Sequence, residues 1–196
     1  RRVLFRSDLV QTFEASWSAA QLQSHLAAGK IIDDVRRQAF ERAASMVREG
    51  KPLAEAELQQ WIADQFAARG LVASDRSIAA VQPNNGNPHY EPRAGASLPI
   101  RAGDLLLLDM WAKLKEPGSV YYDITWVGYL GARVPDAYAR IFRIVRQARD
   151  RAIEFVTESV AESREIRGWE VDHVAREVIR KAGYAKYFVH RTGHSI

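Results

Sequence analysis

Apolar residues recur at spacings of three and four through Ile32, Val35, Ala39, Ala43 and Met46. That period predicts an amphipathic helix of about four turns. Gly50 is its expected stop, and Lys51-Pro52 opens the next element. Leu58, Trp61, Ile62 and Phe66 repeat the pattern up to Gly70. The short joint between the two predicts an αα-hairpin. Residues 8–30, ahead of them, favour helix with weak phasing. The period then changes. Residues 77–82 form a short apolar, strand-like run. Three prolines, three asparagines and a glycine between Pro83 and Pro92 forbid regular structure. Strands are expected over 105–113 and 120–130, joined at a Glu116-Pro117-Gly118 turn. Ile141, Ile144, Val145, Ala148, Ala152, Phe155, Val156 and Val160 mark a long helix over 135–162. Val171, Val174, Ala175, Val178 and Ala182 mark another, stopped by Gly183. Tyr187-Phe188-Val189 reads as a last short strand. The expected order is ααβββααβ, an α+β chain with no visible repeat.

Composition narrows the class. The chain has 196 residues, 47% hydrophobic and 27% charged, an ordinary globular balance that excludes disorder and collagen-like repeats. With no cysteine, disulfide scaffolds, thiol nucleophiles and Cys-based metal sites are excluded. No run approaches the ~20 apolar residues of a membrane helix. The net charge of +4 would hint at nucleic acid. The N-terminus alters that picture. Arg1-Arg2-Val3-Leu4-Phe5-Arg6-Ser7 is what the common sequencing-adapter string AGA CGT GTG CTC TTC CGA TCT encodes, so residues 1–7 are expected to be translated adapter. Without Arg1, Arg2 and Arg6, the 28 Lys and Arg become 25 against 24 acidic residues, and the basic signal disappears. No apolar signal-peptide core follows. The chain stops at His194-Ser195-Ile196, within a segment rich in candidate chemistry, and is expected to be an internal gene fragment.

Two acidic residues stand out. Asp109 interrupts an otherwise apolar strand, between Leu105–Leu108 and Met110-Trp111-Ala112. Asp123 repeats the anomaly between Tyr121-Tyr122 and Ile124. Asp is disfavoured in strands and rarely buried without a partner. The midpoint of 109 and 123 is 116, on the expected turn, so the two carboxylates should lie opposite one another or nearly so. Facing carboxylates in an apolar sheet repel, and a divalent cation or a shared proton would relieve them. The alternative is one solvated Asp on each strand. His190 and His194 add a nitrogen source at spacing four. Thr192-Gly193 disfavours a helix there, so the pair belongs to a strand and loop. His89 lies in the Asn/Pro loop, where binding residues concentrate. His25 and His173 fall in helical stretches and are assigned no role.

Taken together these stretches resemble the M24 metallopeptidase family, the pita-bread fold of methionine aminopeptidases, Xaa-Pro aminopeptidases and prolidases. The resemblance runs from about Ile31 to Ile196 and rests on four motifs in order. Asn87-Pro88-His89-Tyr90 resembles the family's histidine loop. Gly103-Asp104-Leu105-Leu106-Leu107-Leu108-Asp109 resembles the strand ending in the first metal Asp. Tyr122-Asp123-Ile124-Thr125 resembles the second metal Asp with its Asp-x-Thr signature. His190-Arg191-Thr192-Gly193-His194 resembles the segment whose last His binds metal. The resemblance implies an α+β fold with helices packed on a curved antiparallel sheet, incomplete at the C-terminus, with residues 8–196 a partial catalytic domain. It implies two divalent ions, manganese, cobalt or zinc, with Asp109 chelating one, Asp123 bridging both and His194 binding the other. It further implies attack by a metal-bridging hydroxide on the scissile carbonyl, with His89 contacting the peptide or departing amine and His190 stabilising the tetrahedral intermediate.

Three departures qualify it. Both Glu ligands of the family lie beyond Ile196, so the chain alone is expected to bind metal weakly and not to turn over. The metal Asp residues are 14 positions apart where 11 is common, and the excess falls around residues 115–118. Trp126 stands where peptidase members often carry Arg after Asp-x-Thr, which bears on substrate preference. The expected activity is release of an N-terminal residue at Xaa-Pro bonds. The expected partner is a peptide substrate, not nucleic acid or membrane, with a homodimer for the full-length protein and a cytoplasmic location. The alternatives are a metal-free pita-bread binding module and a creatinase-like C–N hydrolase. The missing strands are expected to leave an open sheet edge, exposed apolar surface and poor solubility.

Overall fold

The computed structural model describes residues 16–194. The adapter-like residues 1–7, and residues 8–15 of the helix-favouring stretch, lie outside them.

Ser18 starts the first helix, α1 (Ala19–Arg48). Its hydroxyl accepts the Gln21 N–H at 3.2 Å and the Gln21 side chain accepts the Ser18 N–H at 2.8 Å, a complete capping box. The helix is thus 30 residues long, well beyond the four turns that periodicity predicts. The phasing fails in its first half because contacts there are aromatic and close. His25 Nδ1 lies 2.6 Å from the Tyr121 carbonyl, and its ring sits between those of Trp17 and Tyr122. A Cβ on Gly29 would stand 2.7 Å from the Tyr122 ring, so only glycine allows this approach. Further along, Ile32, Val35, Ala39 and Ala43 are fully buried, as their spacing predicts. The second helix, α2 (Glu55–Ala68), buries Leu58, Ile62 and Phe66.

Four strands follow. β1 (Leu71–Val72) and β2 (Ile78–Ala80) pair antiparallel with two successive stretches of β3 (Leu105–Leu114). β4 (Tyr122–Tyr129) pairs antiparallel with β3 from Leu105 to Ala112. β1 has only two residues, too few for period-2 reasoning to find. Burial alternates along β3. Leu106, Leu108, Met110 and Ala112 are fully buried in the core shared with α1 and α2. Each buried leucine contributes about 2 kcal/mol of hydrophobic stabilisation. The other set, Leu105, Leu107, Asp109, Trp111 and Lys113, is half-buried on the opposite face.

The chain divides into two compact units between Ala132 and Arg133. The second unit contains α3 (Asp136–Ala161) and α4 (Gly168–Lys181). Its core is small: Ala148, Ala152, Ala175 and Ile179 are buried, with Ile144, Val171, Val178, Tyr184 and Phe188 packed around them. Both helices match expectation, but the α3 stripe is only partly covered. Val145 and Val160 stay exposed. The strand expected at 187–189 is absent. Residues Ala185–Tyr187 form a 3₁₀ turn, and the chain then runs without a ladder. A β-propensity triplet becomes a strand only beside a partner strand, and among the described residues it has none. No described helix is long and apolar enough to cross a membrane.

Candidate metal centre and its histidine segments

The β3–β4 hairpin sets the geometry of the two aspartates. Glu116-Pro117-Gly118-Ser119 closes it, with the Ser119 N–H donating to the Glu116 carbonyl at 3.2 Å. Pro117 follows the turn's first residue and Gly118 has φ +78°, the pattern of a type II turn. The resulting register pairs Asp109 with Thr125 and Trp111 with Asp123. The aspartates are therefore not directly opposite, as a midpoint at 116 would require. They are offset by two residues, and they share one face of the sheet. Diagonal neighbours of this kind lie about 7–8 Å apart along the backbone, within reach of two carboxylates converging on one cation.

Thr125 is the direct cross-strand partner of Asp109, and its hydroxyl donates to Asp109 Oδ1 at 2.6 Å. The bond holds one carboxylate oxygen in place. Outer hydrogen bonds of this type orient metal-binding carboxylates. The set Asp109, Asp123 and Thr125 is all oxygen, suited to a hard divalent cation. Around it the face is apolar: Leu107 and Trp111 are half-buried and Val127 is 39% exposed. Trp126, one residue further, points the other way by strand alternation. The Arg36 guanidinium stacks over its ring, 4.0 Å from the centroid. The side chain at 126 is thus on the helix-facing side of β4, not on the aspartate face.

His89 lies on the loop after β2, exposed, with its N–H donating to Asn87 Oδ1 at 3.0 Å. The loop is irregular but firmly tied. Glu55, at the start of α2, is fully buried. Its carboxylate accepts the Val81 N–H (2.8 Å), the Leu98 N–H (2.8 Å), the Tyr90 hydroxyl (2.6 Å) and the Asn84 side-chain amide. Burial, and then the Glu55 carboxylate, push the Tyr90 hydroxyl up to about 12. From the other side, Gln82 Oε1 accepts the Leu105 N–H and Asn85 Nδ2 donates to the Leu105 carbonyl. One loop is thereby fixed to both α2 and the start of the strand that carries Asp109. Acidic residues are expected in a helix's first turn on dipole grounds alone. That expectation hides Glu55 in the sequence.

His190 and His194 lie in the second unit, both exposed, on the segment after the 3₁₀ turn. His190 Nδ1 lies 3.0 Å from the Arg191 carbonyl. Asp172 and Arg176 of α4 reach this segment. Asp172 Oδ1 accepts both the N–H and the hydroxyl of Thr192, at 2.8 and 2.9 Å. In sequence the two read as an ordinary i, i+4 helix pair. The structure brings Asp109, Asp123 and Thr125 onto one hairpin face and ties the His89 loop to the same unit. Among the described residues no group of three or more His, Asp or Glu is close enough to hold a metal ion.

The chain is similar to several known peptidases. The Xaa-Pro dipeptidase of Lactobacillus helveticus is 32% identical over 123 residues, covering 63% of this chain and 30% of that protein. The crystal structure of a dipeptidase from Pyrococcus horikoshii superposes with a TM-score of 0.75 at 30% identity, covering 96% of this chain and 48% of that one. An X-prolyl aminopeptidase from Caenorhabditis elegans, described as a cytosolic enzyme with a di-nuclear active site, shares the fold at 21% identity. Its TM-score is 0.73, over 89% of this chain and 28% of that one. The chain spans less than half the length of each. The family model for metallopeptidase family M24 matches residues 25–196. With helices on one face of an antiparallel sheet and nearly the whole chain matched, this protein belongs to metallopeptidase family M24 and carries part of its pita-bread fold.

Proposed function

We propose that residues 8–196 are part of the catalytic domain of a dinuclear metal-dependent peptidase that releases an N-terminal residue at Xaa-Pro bonds. The observation that carries this reading is the pair Asp109 and Asp123 on one face of the β3–β4 hairpin, with Thr125 holding Asp109. The prolyl preference is supported by the similarity to Xaa-Pro dipeptidases and by the His89 loop with the His190/His194 segment. Asp109, Asp123 and His194 are the residues that would hold the ions. Two divalent ions there would polarise the scissile carbonyl and lower the pKa of a water. Manganese, cobalt and zinc all suit the donor set.

The chain's own residues have separate tasks. Thr125 keeps the Asp109 carboxylate oriented. Asp109 and Asp123 would supply anionic oxygens to the cations. His89, on its tied loop, would contact the peptide or accompany the departing amine. His190 would donate to the oxygen that gains charge as the carbonyl becomes tetrahedral.

The test uses the complete gene that contains this chain. Purified protein should cleave Xaa-Pro dipeptides with added manganese and lose that activity on chelation. Cleavage of a small C–N substrate without any need for metal, and no peptide cleavage, would support the creatinase-like alternative. Neither metal binding nor hydrolysis of either substrate would leave a pita-bread binding module.

A further inference from the structure

The geometry points to Asp172 and Arg176 as positioning residues that fix the His190–His194 segment to α4. This rests on the reading of His190 and His194 as site residues. Arg176 makes four polar contacts at once. Its Nε and Nη2 donate to Asp172 Oδ2 and Oδ1, at 2.8 and 3.1 Å. Its Nη1 donates to the Phe188 carbonyl at 2.9 Å, and its Nη2 to the His190 carbonyl at 3.3 Å. The guanidinium also lies over the Phe188 ring, 4.4 Å from the centroid. Asp172 completes the clamp from the opposite side, accepting both donors of Thr192 on one oxygen.

The segment needs such a clamp. From Phe188 to His194 it forms no helix or strand, so its backbone groups have no ladder to hold them. Two α4 side chains instead hold Phe188, His190 and Thr192 at alternate positions. His190 is gripped by its own carbonyl, and His194 follows Thr192 by two residues. The planar guanidinium is essential. Its fork spans a carboxylate and two carbonyls together, which a lysine ammonium on a flexible stem cannot reproduce. The neighbouring Arg180–Glu177 pair on the same helix is bonded within itself, Arg180 Nε and Nη2 donating to the two Glu177 oxygens, and serves as a control.

The experiment compares the complete protein with its Asp172→Asn, Arg176→Lys, Thr192→Val and Arg180→Lys variants. Amide hydrogen exchange is followed without metal, and Xaa-Pro hydrolysis with manganese. Asp172→Asn and Arg176→Lys are expected to speed exchange at Thr192 at least tenfold. They should lower kcat about 10–100-fold, the usual effect of losing an outer-shell partner, with a smaller change in KM. Thr192→Val removes one donor and should fall between these and wild type, which guards against misfolding of the stronger variants. Arg180→Lys should match wild type in both measurements. Unchanged Thr192 exchange in Asp172→Asn and Arg176→Lys would overturn the inference. So would losses shared equally by Arg180→Lys. If the wild-type protein cleaves no Xaa-Pro peptide, the functional reading fails, while the exchange data still decide whether the clamp exists.

Discussion

Replacing Glu55 tests how the His89 loop is held. The carboxylate is fully buried and serves four donor groups: the Val81 and Leu98 amides, the Tyr90 hydroxyl and the Asn84 side chain. Glu55→Leu keeps similar volume but removes every acceptor. The Val81 amide then has no polar partner in a buried setting, at about 1–3 kcal/mol. The Leu98 amide, Asn84 and Tyr90 are half-buried and regain some water, so they add about 0.5–1 kcal/mol each. The expected loss is about 2.5–6 kcal/mol, a large share of the ~5–15 kcal/mol available to a domain. Glu55→Gln keeps one acceptor oxygen but turns an NH₂ toward the donors, and should cost about 2–3 kcal/mol. Tyr90→Phe removes one donor and leaves the carboxylate its other partners, at about 1–2 kcal/mol. Urea unfolding followed by tryptophan fluorescence measures all three. A Glu55→Leu protein within about 1 kcal/mol of wild type, or one that loses no more than Tyr90→Phe, would show that the carboxylate does not hold the loop.

Three further outcomes follow from the structure. Thr125→Val removes the hydroxyl that holds Asp109, and calorimetry on the complete protein should show manganese affinity about 10–100-fold weaker. Gly29→Ala gains about 1 kcal/mol of helix propensity, yet places a Cβ 2.7 Å from the Tyr122 ring. Overpacking of this kind costs about 1–3 kcal/mol, so the melting temperature should fall, and Tyr122→Leu in the same chain should recover part of it. The Arg176 hydrogen bonds, with the Thr192 donors, hold the Asp172 carboxyl at about 2. Because that value lies below the ordinary 3.8, the clamp's contribution is complete above about pH 5 and is lost as pH falls through 3.8 toward 2. Partial solvent exposure reduces it to about 1 kcal/mol. Carbon NMR of Asp172 should show the low titration in wild type and a return toward 3.8 in Arg176→Ala.

The periodic parts of the fold are legible in the sequence, and the side-chain ties are not. β3, β4 and α3 fall within two residues of the boundaries read from alternation and 3.6-residue periodicity, and α4 ends at Lys181, just before the expected glycine stop at Gly183. α1 is longer than its apolar period because Gly29 and His25 meet Tyr122 in contacts that no hydrophobic count detects. The hairpin partners are legible but their register is not, since the turn centres one residue later than the midpoint of the two aspartates. Tyr187-Phe188-Val189 has the composition of a strand and lacks a strand to pair with. At the candidate site, Asp109 and Asp123 stand out because a carboxylate is anomalous in an apolar strand. Glu55, Asp172 and Arg176 do not, because each occupies a helix position where its charge is ordinary. Only the third dimension shows that one is buried and the other two grip a loop.

The β3–β4 hairpin would supply the carboxylate ligands of the metal pair. Crystals of the complete protein grown with manganese, measured at the manganese absorption edge, test it most directly. Two anomalous peaks at the hairpin are expected, with Asp109 and Asp123 among their ligands. Peaks that avoid both aspartates, or an absence of ordered manganese at the hairpin, would contradict it.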